Sequence, residues 1–147
     1  MSAPVTGLIA LSFSVVLCAA GAKASCQIDV VPISFGVVNA SDGAASSGRI
    51  SVWCADASAF QLRLAAGQGS VVDRRMHGPG SGALHYNVYL DPGHQRIWGD
   101  GISGGETISA TVDAGETMDF DIHGRVFADQ AVAPGTYGDT LVIEVVF

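Results

Sequence analysis

Apolar residues in this chain return at every second position rather than every third or fourth. Ile50, Val52 and Cys54 alternate with Arg49, Ser51 and Trp53. Phe60, Leu62 and Leu64 alternate with Gln61 and Arg63. Leu84, Tyr86, Val88 and Leu90 alternate with His85, Asn87 and Tyr89, and Met118, Phe120 and Ile122 with Asp119, Asp121 and His123. Successive side chains of a strand point to opposite faces, so each run predicts a strand with one face on a core and the other in water. Turn-forming clusters separate the runs, among them NASDGAASSG, AGQGS, HGPGSG, DPG, GDGISGG, DAGE and APG. Seven or so short strands at this spacing predict an all-β fold, a single antiparallel β-sandwich. Its first strand would run from Gln27 to Phe35, and its second would end at Cys54.

The chain closes on PGTYGDTLVIEVVF, a Pro-Gly turn followed by a strand that continues to Phe147. An apolar sheet edge of this kind invites pairing with another chain, and monomers usually blunt it. Leu141, Ile143, Val145 and Phe147 share one face of that strand, and Val142 and Val146 the other; Glu144 is the only charge in the last seven residues. Apolar on both faces, it suits a strand buried inside a completed sandwich. Two accounts fit: a docking edge that awaits a partner strand, or a central strand of a sandwich already complete.

The first stretch, MSAPVTGLIALSFSVVLCAAGAKAS, reads as an export signal. Gly7 to Gly21 is its apolar stretch, shorter than the ~20 residues a membrane-spanning helix needs. Ala22-Lys23-Ala24 is an A-x-A cleavage site, giving a signal over residues 1–24 and one domain over 25–147. Met1 to Thr6 carries no Lys or Arg, which is unusual for a signal; a start codon further upstream, or an uncleaved anchor, would account for it. Val16-Leu17 ahead of Cys18 and Ala24-Ser25 ahead of Cys26 lack the small-residue pattern of a lipidation site.

Cleavage would leave 123 residues without the only lysine, Lys23, so that six arginines face fourteen Asp and Glu for a net charge near −8. Six scattered arginines build no basic patch, which argues against nucleic acid and against an anionic membrane surface as partners. Cys26 and Cys54 would remain, an even number in an exported chain, and a disulfide is expected between them. Two cysteines 28 positions apart, with no C-x-x-C spacing, make a poor metal site.

Little in the chain points to catalysis. Gly99 to Gly104, GDGISG, matches the letters of a dinucleotide motif, but Ile108, Ala110 and Val112 continue a β pattern where that motif needs a helix. Asp91, Asp100 and Glu106 lack calcium-loop spacing. His77, His85, His94 and His123 form no H-x-x-x-H pair, and no serine sits in a G-x-S-x-G elbow. Asp119 and Asp121 share a strand face, as a glycosidase pair could, but fit a solvated face better. No enzyme and no cofactor are expected.

The order of fixed points does resemble a known family. Cys26 is followed by ISFG (33–36), GRISVWC (48–54), FQLRL (60–64), RRM (74–76), LHYNVYLD (84–91), IWGDG (97–101), IHGRV (122–126) and the closing PGTYGDTLVIEVVF. This ordered set resembles the spore coat protein U domain, whose members supply subunits of archaic chaperone–usher pili. The resemblance implies an immunoglobulin-like sandwich that lacks its last strand and leaves a groove beside the C-terminal strand. A periplasmic chaperone would fill the groove first, and a neighbouring subunit's N-terminal extension later, by β-strand addition. It places Leu141, Ile143, Val145 and Phe147 at that groove. It implies an outer-membrane usher and other pilus subunits as further partners, passage through the periplasm, and a role at the cell surface in attachment and biofilm. Donating a strand needs about 10 residues ahead of the first cysteine at about 3.3 Å each. Only Ser25 would precede Cys26 after cleavage, so an acceptor at the fibre tip is expected. A lectin-like adhesin stacking sugars on Trp53, Tyr89 or Trp98, a protective coat protein and a small hydrolase are the rival expectations.

Overall fold

A computed structural model describes residues 5–18 and 25–147 of the chain. Ten strands follow in order: β1 (Val5–Cys18), β2 (Cys26–Val31), β3 (Ser34–Val38), β4 (Ala44–Cys54), β5 (Ser58–Leu64), β6 (Arg74–His77), β7 (Ala83–Tyr89), β8 (Ile108–Val112), β9 (Thr117–Val126) and β10 (Tyr137–Val146). No helix occurs among the described residues. The strands form one curled sheet in the order β2-β4-β9-β7-β6-β10-β1-β3, with β5 pairing both β10 and β8.

The expected alternation is realised as burial. Along β4, Ile50, Val52 and Cys54 are buried; along β5, Phe60, Leu62 and Leu64. Their inward faces join those of β7, β9 and β10 in one core, with Trp98, Tyr86 and Tyr137 among its largest members. The Cys26–Cys54 disulfide is formed, S–S 2.03 Å, and joins β2 to β4 where these two residues are directly paired.

The strand expected over Gln27–Phe35 is two strands. β2 stops at Val31 and β3 starts at Ser34, with Pro32 in the gap. Proline has no N–H to give to a ladder, so pairing cannot run through it. Ile33 is fully buried between the two strands, and its carbonyl accepts from the Leu11 N–H at 2.9 Å. β1 lies within the stretch read above as an export signal; the expected cleavage site at Ala22–Ala24 is outside the described residues.

Candidate strand-docking site

β10 carries the residues that sequence reasoning placed at a groove. Tyr137, Asp139, Leu141, Ile143 and Val145 are buried on its core face, while Val142, Glu144 and Val146 on the other face are half-buried. Along one edge β10 pairs antiparallel with β6 at Gly138 and with β5 from Ile143 to Val146. Along the other it pairs parallel with β1 over ten consecutive positions, from Ile9↔Tyr137 to Cys18↔Val146. Leu141, Ile143 and Val145 stand opposite Phe13, Val15 and Leu17. Phe147, half-buried, lies past the last of these pairs.

The far edge of β1 meets β3 antiparallel at Val5↔Val38, Ile9↔Gly36 and Ala10↔Ser34, with irregular register. β1 is therefore the strand through which β10 and β3 are joined in the sheet. Its grip is uneven. Leu11 is 1% exposed and Phe13 half-buried, but Val15 and Val16 are 36% and 46% exposed. An open cavity of about 290 Å³ lies between Leu11 and Phe13 of β1 and Val30 and Pro32 of the β2–β3 corner.

A buried polar network flanks the site, and reading the sequence as scattered arginines missed it. Arg74 on β6 is fully buried. Its Nη1 donates to Asn87 Oδ1 at 2.7 Å and its Nη2 to the Ala65 carbonyl at 2.9 Å. Burial pulls this guanidinium down to about 10, leaving it charged at neutral pH. Tyr86 on β7 donates to Asp139 Oδ2 at 2.6 Å, while Asp139 Oδ1 has no hydrogen-bond partner. Burial raises the Asp139 carboxyl above the usual carboxylate range, against the opposing pull of the Tyr86 hydrogen bond. A visible signal did exist: RRM, LHYNVYLD and PGTYGD supply Arg74, Tyr86, Asn87 and Asp139. A second signal was the alternation Ile9, Leu11, Phe13, Val15, Leu17 inside the apolar N-terminal stretch, a strand pattern that its overall hydrophobicity concealed.

The rival sites fare differently. Trp98 is fully buried, its Nε1 donating to the Leu62 carbonyl at 3.1 Å, so it cannot stack on a sugar. Tyr89 is 6% exposed and packs edge-to-face on His94; Trp53 is exposed. Asp121 pairs with Arg49 at 3.0 Å and Asp119 accepts from Ser51 at 2.5 Å, both on the exposed face. Both carboxylates bond to side chains of β4, and both line an open cavity of about 470 Å³ together with Arg96, Phe120 and His123. His85 contacts Asp73 at 2.6 Å on the surface, and that contact is the largest cause of the lowered Asp73 carboxyl. GDGISG is a turn. Asp100 accepts from the Ile102 and Ser103 N–H groups and the Ser103 hydroxyl, which hold it down to about 2. Gly101 takes φ +73°, a left-handed conformation that glycine adopts freely.

Comparison with known proteins bears on this geometry. No curated protein matches the chain. Among solved structures, a similar chain occurs in the crystal structure of the CsuC–CsuE chaperone–tip adhesion subunit pre-assembly complex from the archaic chaperone–usher Csu pili of Acinetobacter baumannii. The two are 20% identical with a TM-score of 0.61 over 83% of this chain and 39% of that one, so this protein shares its fold with about two-fifths of that chain's length. The family model for the Spore Coat Protein U domain matches residues 12–144, from within β1 to near the end of β10. The chain belongs to the spore coat protein U domain family.

Proposed function

We propose that this protein is a non-enzymatic structural subunit of a secreted chaperone–usher pilus. The observation that carries it is the outer edge of β10, which accepts an apolar strand over ten consecutive positions. Backbone pairing there would give affinity, and the alternate residues Leu141, Ile143 and Val145 would give a partner strand's side chains an apolar floor. In this reading residues 1–24 direct export and are removed, an immunoglobulin-like sandwich is left short of one strand, and a periplasmic chaperone supplies it until a neighbouring subunit does. The usher, passage to the cell surface, and a part in attachment and biofilm follow from the same scheme. So does a place at the fibre tip, since after that cleavage only Ser25 would stand ahead of Cys26. Family membership and the shared fold with a chain of a chaperone–pilus subunit complex support this function.

Co-expression with a chaperone of such a pilus system, followed by affinity capture of the chaperone, tests it. Recovery of this chain in an equimolar complex is the expected result. Accumulation as a free, folded periplasmic monomer that the chaperone never captures would overturn it.

A further inference from the structure

We infer that the cleft between β9 and β8 binds a saccharide chain that carries free amino groups. No residue of β10 lines this cleft, and the inference goes beyond the function proposed above without depending on it.

The cleft follows from where β7 stops. β7 ends at Tyr89, opposite His123, whereas β9 already starts at Thr117. Residues 117–122 are therefore paired with β4 on one side and with no named strand on the other. β8, in turn, pairs only with β5. Two strand edges thus flank the open cavity of about 470 Å³, which falls within the roughly 300–1,000 Å³ of ordinary ligand sites. Backbone N–H and C=O groups along such edges are free to pair with a ligand.

The lining combines an apolar strip with polar groups that are already oriented. Leu90, Ile108 and Phe120 are half-buried and pack against the core. Arg49 holds Asp121 Oδ1 at 3.0 Å, and the Ser51 hydroxyl holds Asp119 Oδ1. The second oxygen of each carboxylate has no side-chain partner among the described residues. Glu106 fixes the Arg96 guanidinium at 2.9 Å, and Ser109 and His123 add groups that donate or accept. An apolar strip beside fixed donors and acceptors suits a ring with C–H faces and a rim of hydroxyls.

Charge narrows the class. The carboxylates of Asp119, Asp121 and Glu106 meet the two guanidiniums of Arg49 and Arg96. Asp119 bonds only to a neutral hydroxyl, so one negative charge is left over. An ammonium group on the ligand would meet it through a charge-assisted hydrogen bond, whereas the carboxylate of an acidic sugar would be repelled. The site is also longer than one ring. Asp121 lines a second open cavity, of about 280 Å³, with Val31, Ser47 and Arg49. The two cavities meet at Asp121 and run from β9 across β4, a path for a chain rather than a single sugar.

Calorimetric titration with a glucosamine oligomer, whose amines are free, tests the site. An N-acetylglucosamine oligomer, a galacturonic acid oligomer and a lysine oligomer of equal length serve as comparisons. The protein is the full chain, free or in its chaperone complex. Saturable binding of the glucosamine oligomer is expected, with about tenfold weaker binding of the acetylated one and none of the acidic one. Asp119→Asn should weaken the first about tenfold and bring the first two together. Asp56→Asn, at an exposed carboxylate outside the cleft, should change neither. Absence of saturable binding, equal affinity for the free and acetylated oligomers, or equal loss from Asp56→Asn would overturn the inference. So would a lysine oligomer bound as tightly, since charge alone would then explain the binding. Chaperone capture is read separately. Capture without saccharide binding removes only this site, and saccharide binding by a chain that no chaperone captures removes only the pilus function.

Discussion

The Tyr86 hydroxyl donates a 2.6 Å hydrogen bond to Asp139 Oδ2, joining β7 to β10 across the intervening β6. Asp139 is 4% exposed, its second oxygen has no partner, and burial raises its carboxyl. A carboxyl raised in the folded state binds its proton more tightly there than in the unfolded chain. Its contribution to stability is therefore fully present at low pH, and is lost as pH climbs from the unfolded value of about 3.9 through the raised folded one. Asp139→Asn keeps the shape and removes the charge. It should gain stability relative to the parent as pH rises through that window, and the gain should level off above it. Urea melts at a series of pH values measure this. A constant difference between the two proteins across pH would show that Asp139 does not titrate as described. Tyr86→Phe takes its hydrogen bond away from a buried carboxyl and should cost about 1–3 kcal/mol.

Arg74 holds a charge in the core with neutral partners: Asn87 and the Leu64 and Ala65 carbonyls. Its value lies in the fork, which reaches several acceptors at once. Arg74→Lys should therefore fail to restore stability, because one ammonium cannot span the same acceptors. Loss of about 3 kcal/mol is expected for Arg74→Ala and nearly as much for the lysine variant, where acceptors are left unpaired. Thermal midpoints of the two variants decide this; full recovery with lysine would show that charge alone matters.

Gly67 stands against the same site. Its φ is +67°, and a Cβ there would fall 2.3 Å from Asp139 Oδ2 and 2.8 Å from Leu141 Cδ2. Gly67→Ala should cost about 1–3 kcal/mol, combining left-handed strain with a clash at the base of β10. The double variant with Asp139→Ala removes the carboxylate from the clash: it should recover that part of the cost and keep the parts due to Leu141 and to strain. No recovery would place the whole cost in Leu141 and the backbone.

The strands were legible because period two survives in the letters wherever one face meets water, as in Ile50, Val52 and Cys54 or Leu62 and Leu64. The disulfide was legible from an even cysteine count. Pro32 hid the break between β2 and β3 only because the apolar pattern continues across it to Ile33. Arg74 was counted among scattered arginines and Asp139 was given no role, since nothing local in a sequence reports that neutral acceptors and a tyrosine from distant strands will surround them. Leu141, Ile143 and Val145 stood out because a strand apolar on both faces is rare outside a sheet interior, and the structure buries all three on one face of β10. What would lie beside them was not found, because hydrophobicity suited to export and alternation suited to a strand coincide in residues 5–18.

The disulfide closes a loop over a sequence separation of 28 residues. Chain-entropy bookkeeping gives about 3.6 kcal/mol for a loop of that length. Paired Cys26→Ala and Cys54→Ala substitutions should lower the urea midpoint by a corresponding amount, and the parent under reductant should match them. A pair variant as stable as the oxidised parent would mean that β2 is held by its ladder to β4 alone.

The pleat of β10 makes the sharpest demand. Ile143 and Val145 are fully buried, whereas Val142 between Leu141 and Ile143 faces the other way and is half-buried. A carboxylate at 143 or 145 would enter the core with no cation to meet it, so Ile143→Asp and Val145→Asp should each cost about 4 kcal/mol or more. Val142→Asp keeps its charge near solvent and should cost about 1 kcal/mol. Removing residues 142–147 deletes the pairing of β10 with Leu64–Gln61 of β5 and five of its ten positions beside β1, and should prevent folding. Periplasmic yield and chaperone capture of the four variants then separate fold from docking. Val142→Asp should fold and be captured, while the two core variants and the deletion should be degraded. Equal damage from Val142→Asp and Ile143→Asp would mean that both faces of β10 are enclosed, and that the half-buried face of Val142, Glu144 and Val146 is covered rather than turned to solvent.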